Sequence, residues 1–294
     1  MSRHVVRLPF LRPLHRDSLF GHLAATGIPG VEEWRDGAYR RTLRTEHGHA
    51  IVTLRPRADH VACGVRLTDR RDLDDVVARC RWLLDLDADP VVVDASLSAD
   101  PVLAPLVGRT PGIRVPRSVD PEELALRAVL GQQVSTAAAR THAARLVAAQ
   151  GAPVDDPDGG LTHLFPSPTD LLGLDPESLA LPRARRETFL GLVAALAHDN
   201  VRLDAADVGR ARTELSALRG IGPWTVETIA MRGLGDPDAF LASDLGVRAA
   251  ATRLGLPASP RALAARAERW QPWRAYAVQY LWATGDHAVN RMPT

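Results

Sequence analysis

The stretch Leu218-Arg219-Gly220-Ile221-Gly222-Pro223-Trp224-Thr225 decides how this 294-residue chain is read. It lies between two segments, Asp207–Ala217 and Pro223–Arg232, whose apolar residues recur at helical spacing. Two glycines bracketing one aliphatic residue make a tight turn: the first helix stops, Ile221 plugs the gap between the helices, and backbone N–H groups open the second. Pro223 suits that opening, because the first turn of a helix has no use for the N–H that proline lacks. Amides exposed at a helix start suit a phosphate. Gly-x-Gly also serves plain helical hairpins, so its surroundings decide what the turn is for.

Downstream, Phe240-Leu241-Ala242-Ser243-Asp244-Leu245-Gly246-Val247-Arg248 places an acid at the start of a helix predicted over Asp244–Leu254. Asp244 fits an N-cap, whose side-chain oxygen satisfies a first-turn amide. Upstream, Asp120-Pro121-Glu122-Glu123 combines an N-cap, a first-turn proline and a glutamate three residues after the cap. It predicts one long helix to about Gln150 that carries Leu130-Gly131-Gln132-Gln133-Val134-Ser135. Gly151 to Ser167, rich in Gly, Pro and Asp, reads as a connector. Further helices are predicted at Pro168–Leu172, Pro176–Ala180, Pro182–His198, Pro260–Trp270 and Pro272–Thr284.

Before Asp94 the rhythm differs. Period-two or β-branched runs at Val5–Leu8, Tyr39–Thr45, Ala50–Leu54 and Val61–Leu67 predict strands, and the turn-like Glu46-His47-Gly48-His49 joins the second to the third as a hairpin. Amphipathic helices are predicted at Arg16–Thr26 and Leu73–Leu86. The fold class is therefore α+β: an N-terminal antiparallel α+β domain over residues 1–92, followed by a mostly helical body. Within that body the expected divisions are a connecting segment at 93–119 that packs with the C-terminal lobe, a central helical domain at 120–236 and a C-terminal lobe at 237–294.

Composition narrows the chemistry. The 36 basic residues, against 35 acids, are all arginine. Without lysine there is no ε-amine to form a Schiff base, so side-chain imine mechanisms, lysine-dependent DNA lyases included, are excluded. The arginine and alanine bias itself fits a GC-rich genome and carries no functional content. Two cysteines, Cys63 and Cys80, are too few for a zinc knuckle or an iron–sulfur cluster. The first residues lack the apolar core of a secretory signal and no uncharged apolar run reaches about 18 residues, so a soluble intracellular protein with reduced cysteines is expected. Gly151 to Gly209 holds 4 arginines and 10 acids, whereas Arg210 to Arg274 holds 10 arginines and 6 acids. A polyanion would be met by that second segment; the plainer reading is a solvated helical surface.

Four motifs in order, Leu130 to Ser135, Gly220 to Thr225, Phe240 to Asp244 and Trp270 to Trp282, resemble the helix–hairpin–helix DNA glycosylases, with their glycine-rich hairpin followed by an aspartate. Within that superfamily the chain is most similar to the AlkA-type DNA-3-methyladenine glycosylases, and the resemblance covers nearly the whole chain. It implies a TATA-binding-protein-like N-terminal domain, a two-lobed helical body, base flipping, and hydrolysis of the N-glycosidic bond of alkylated bases in double-stranded DNA. It also implies a monomer without required cofactor, working at the bacterial nucleoid and not at a membrane.

Residue by residue, Asp244 matches the family's catalytic aspartate, as electrostatic stabiliser or as general base. Trp224 stands where lyase-competent relatives place their lysine, which together with the absence of lysine implies a monofunctional enzyme. Trp224 and Trp282 match aromatic positions of the base pocket, where indole faces attract a cationic base by roughly 0.5–2 kcal/mol; core packing with Tyr276 and Tyr280 is the plainer reading of Trp282. Thr228 departs from the pattern, since the best-known family member has tyrosine there. Gln133 matches the wedge that fills the gap left by a flipped nucleotide, and its plainer reading is a helix-surface amide. Gly220, Ile221, Gly222 and Thr225 match the hairpin that meets the DNA backbone, and the carbonyls of Ser216, Leu218 and Ile221 match a monovalent-cation site. Arg274 is either a phosphate contact or a structural partner of a carboxylate. Two other functions compete: a non-catalytic helix–hairpin–helix DNA-binding protein, and an oxidised-guanine glycosylase with lyase activity, which the missing lysine opposes.

Overall fold

The computed structural model describes residues 1–293, and Thr294, the last residue of the expected C-terminal lobe, lies outside the described residues. The chain opens with β1 (Ser2–Pro9) and α1 (Arg16–Thr26), then β2 (Glu32–Arg35), β3 (Ala38–Thr45), β4 (Gly48–Pro56) and β5 (His60–Leu67). These strands form one antiparallel sheet in the order β1-β5-β4-β3-β2. Alternation marks β5, whose residues switch between buried and half-buried at each step. The sequence pattern missed β2, because Glu-Glu-Trp-Arg has no apolar alternation. It pairs instead through opposite charges, with Glu32 facing Arg41 and Glu33 facing Arg40 across the ladder.

The helical body comprises α2 (Leu73–Leu83), α3 (Pro90–Ser98), α4 (Ala104–Arg109), α5 (Pro121–Leu130), α6 (Thr136–Gln150) and α7 (Arg183–Ala197), followed by α8 (Val208–Ser216), α9 (Pro223–Arg232), α10 (Leu245–Arg253), α11 (Pro260–Ala267) and α12 (Arg274–Trp282). The long helix expected from Asp120 to Gln150 is in fact two. Gly131 closes α5, Gln133 takes a left-handed backbone (φ 55°), and the Ser135 hydroxyl caps α6 by accepting from Ala138 N. A glycine and a serine four residues apart are a stop and a start signal, and helical periodicity on both sides concealed them. The segments at Pro168–Leu172 and Pro176–Ala180 form only single 3₁₀ turns, Thr169–Leu171 and Pro176–Ser178.

Apolar side chains gather in three main clusters. One lies between the sheet and α1 and α2, around Phe20, Tyr39, Val65 and Cys80. A second joins α5, α6, α7 and α9 around Phe189 and Ile229. A third joins α3 and α4 to α10, α11 and α12 around Trp270 and Tyr280. Helix α9 faces both helical clusters: Val226 and Ile229 enter one, Ala230 and Met231 the other. Its N-terminus, which carries Trp224, therefore lies at the seam between the two lobes.

Candidate active site

The hairpin holds its expected shape. Gly220 adopts φ 83°, and a Cβ there would lie 2.0 Å from Thr188 Oγ1, so only glycine fits. Ile221 is buried in the central cluster, as the plug reading requires. No side chain caps α9, and the hydrogen bonds of the turn leave the Gly220, Gly222 and Trp224 amides without a protein acceptor. Donors at the start of an α-helix provide the electrostatics for an anion. The side chain of Arg219 is 90% exposed beside them, with Glu187 at 3.6 Å.

Asp244 is half-buried and caps α10, accepting from Val247 N at 2.9 Å. Both tryptophans converge on it. Trp224 Nε1 donates to Oδ2 at 3.0 Å and Trp282 Nε1 donates to Oδ1 at 2.9 Å, so one indole holds each carboxylate oxygen. With Val247 N, three N–H donors hold this one carboxylate. The indoles are only half-buried, with edges on the acid and apolar flanks packed against the third cluster. Trp282 is thus neither a buried core residue nor a free stacking platform.

Polar ties in the scaffold, half-buried or buried, fix this clasp. Arg212 of α8 forms a bidentate pair with Glu227 of α9, 2.9 Å for each bond, and reaches Asp236 at 2.6 Å. Glu227 also accepts from Phe240 N at 3.3 Å, which anchors the segment leading to Asp244. On the other side, Tyr276 and Tyr280 of α12 donate to Asp85, at 2.8 Å, and to Asp94. They tie the helix that carries Trp282 to the turn after α2 and to α3. Asp85, Asp94, Arg212 and Glu227 escaped the sequence reading, because no local pattern marks a partner on another element: Tyr276 and Tyr280 lie 191 and 186 residues from their acids, and Glu227 lies 15 residues from Arg212 on the next helix.

Several expected contacts are corrected. Thr225 is buried, and its hydroxyl accepts from Gln132 Nε2 at 3.0 Å, so its side chain does not face a DNA backbone. Thr228 is buried too, and its hydroxyl donates to the Trp224 carbonyl at 2.7 Å, which leaves no donor for a base. Arg274 is the structural partner of a carboxylate: Nε and Nη2 grip Asp238 at 2.6 and 2.7 Å. Gln133 is exposed, on the break between α5 and α6 and not on a helix surface. In the basic segment Arg212, Arg266 and Arg274 are spent on acids, so its excess of arginine overstates the charge offered to a polyanion.

These corrections carry a contrast. Arg219→Ala is expected to weaken DNA binding and to reduce the slope of log K against log salt by about 1, as for the loss of one phosphate contact. Arg274→Ala should leave that slope unchanged and instead lower thermal stability, because Asp238 loses a bidentate partner. Binding titrations across salt concentrations read the first effect and thermal melts the second. An unaltered slope for Arg219→Ala refutes the assignment.

Among the described residues no cluster of His, Cys, Asp and Glu suits a metal ion. At the hairpin, Leu218 accepts from Ile221 N, while no backbone amide bonds the Ser216 or Ile221 carbonyl. The Ser216 and Ile221 oxygens thus keep lone pairs of the kind a monovalent cation would need. No helix among the described residues is long and apolar enough to cross a membrane.

The site is thus a glycine-rich turn between two helices beside an acid clasped by two indoles, on a helical body behind an antiparallel sheet. The family model for the AlkA N-terminal domain matches residues 5–120. DNA-3-methyladenine glycosylase 2 of Escherichia coli is 31% identical over 90% of this chain and 92% of its own length. The probable bifunctional transcriptional activator/DNA repair enzyme AlkA of Mycobacterium tuberculosis is 59% identical over 98% of this chain, which spans only 58% of that relative's length. The 3-methyladenine DNA-glycosylase of Archaeoglobus fulgidus shares the fold, with a TM-score of 0.76 at 22% identity over 96% of this chain and 97% of that one. The chain belongs to the AlkA family of DNA-3-methyladenine glycosylases.

Proposed function

We propose that this protein is a monofunctional DNA glycosylase that hydrolyses the N-glycosidic bond of alkylated bases, of the 3-methyladenine and 7-methylguanine kind, in double-stranded DNA and leaves an abasic site. The observation that carries this reading is the pair of indole N–H groups holding both oxygens of Asp244 next to the hairpin's unpaired amides. A DNA-binding protein without catalysis would need this acid only as the cap of α10.

In this reading the hairpin amides and Arg219 hold a backbone phosphate; the Ser216, Leu218 and Ile221 carbonyls would hold a monovalent cation, whose charge would add to that attraction. Gln133 fills the gap as the damaged nucleotide turns out; flipping costs a few kcal/mol of stacking and pairing, which the wedge offsets in part. Alkylation at a ring nitrogen leaves the base cationic, and the part of the Trp224 and Trp282 rings that stays exposed attracts it. As the bond from C1′ to the base nitrogen breaks, its electron pair leaves with the base and the sugar gains positive charge. Ionised Asp244 stabilises that charge. Water then adds its oxygen to C1′ and gives up a proton. The chain has no lysine, so no side-chain imine forms and the backbone stays intact. One monomer serves one lesion.

Incubation with methylated duplex DNA, followed by chromatography, should release free 3-methyladenine and 7-methylguanine. Strand breaks should appear only after alkali or heat, and borohydride should trap no adduct. Binding without release would support the non-catalytic alternative.

A further inference from the structure

The wedge loop has one side-chain tie that the mechanism above does not use. The amide of Gln132 donates to the Gly220 carbonyl at 3.2 Å and to Thr225 Oγ1 at 3.0 Å, so one NH₂ group bridges the Gly131–Ser135 break to the hairpin and to the first turn of α9. Its neighbour Gln133 is exposed and left-handed (φ 55°). That conformation is unfavourable for a residue with a Cβ and persists where the surroundings impose it.

The surroundings here are specific. On the α5 side the loop is pinned by its own backbone, Gly131 N to Arg127 O and Gln132 N to Val129 O. On the far side the hydrogen bonds to the hairpin, among the described residues, come from the Gln132 amide. The hairpin cannot yield, because the Gly220 Cα lies against Thr188 and the partner Thr225 is buried. Gly220 is also the first glycine of the turn whose amides face the phosphate.

We propose that Gln132 is a positioning residue: it locks the wedge loop to the hairpin, so that a phosphate held by the hairpin sets the backbone from which Gln133 enters the duplex. The inference rests on the wedge reading of Gln133. The two neighbouring glutamines divide the work, with Gln133 filling the gap and Gln132 aiming it.

The test is a duplex with a tetrahydrofuran abasic analogue opposite 2-aminopurine, whose fluorescence rises as a wedge unstacks it. Gln132→Met keeps the length of the side chain and removes both donors. Its preference for this duplex over an undamaged one should fall about tenfold, the scale of two hydrogen bonds, with a matching loss of the fluorescence rise. Thr225→Val keeps the bond to Gly220 and should lose about threefold, which preserves the test should Gln132→Met fold poorly. Unchanged preference and fluorescence in both variants overturn the proposal. So does an equal loss on both duplexes, which means that Gln132 merely supports the hairpin. A wild-type protein that unstacks the probe but releases no methylated base sinks the glycosylase reading alone; one that never unstacks it sinks the wedge reading and this inference together.

Discussion

Asp244→Asn is expected to lower base release from methylated duplex DNA by about 10²–10³-fold, the scale seen when one electrostatic stabiliser of a developing charge is removed. The substitution is nearly isosteric. Asparagine is as good an N-cap as aspartate, so α10 keeps its bond to Val247 N and the fold should survive. Two things are lost. The negative charge below the sugar disappears, and with the oxygen kept toward Val247 N and Trp282 the new NH₂ must face the Trp224 N–H, donor against donor. Single-turnover excision measured beside DNA affinity separates these chemical losses from a loss of binding. Excision near the wild-type rate, with binding intact, would mean that another group stabilises the sugar.

Glu123→Ala should destabilise the protein by about 3–5 kcal/mol, because removing one partner leaves a buried charge uncompensated. Arg41 on β3 is only 2% exposed and bonds Glu123 of α5 at 2.7 Å, so this pair joins the N-terminal sheet to the central helices. Glu32, 3.5 Å from Arg41, places the cost at the lower end of that range. Arg127 bonds both acids, at 2.9 and 2.8 Å. Urea unfolding measures the change; a loss under about 1 kcal/mol would show the pair to be dispensable.

The same joint gives stability a pH dependence. Burial pushes the Glu32 carboxyl up, but Arg127, Arg41 and the Tyr39 hydroxyl outweigh burial and hold it below its ordinary value. A lowered folded pKa contributes stability above the unfolded value, and that contribution is lost as pH falls through the folded one. Acidification below the ordinary carboxylate range should therefore lower the unfolding midpoint, and Glu32→Gln should flatten that dependence.

Much of this was legible because it depends on near neighbours in sequence. Gly220, Ile221 and Gly222 dictate a turn whatever surrounds them, and α9 spans the predicted Pro223–Arg232. Asp244 caps its helix as expected, since capping is settled within four residues. Strand β2 was illegible: its stability comes from charges on β3. The break at Gly131–Ser135 was hidden because a backbone turned left-handed at one glutamine leaves periodicity intact on either side.

Arg274 and Thr225 show the limit most plainly. Arginine and threonine beside a hairpin have the donors that phosphates need, and sequence could not tell that Asp238 and Gln132 had already claimed them. By itself the sequence determined the α+β class, the hairpin, the capping aspartate and the lack of any lysine for a side-chain imine, all set by residue identity and local spacing. Only the tertiary structure decided which donors remain free, that two indoles 58 residues apart close on one carboxylate, and that Gln132 ties the loop to the turn. Hydrogen bonds are satisfied in space and not along the chain, so the partner that consumes a donor can come from any part of the fold.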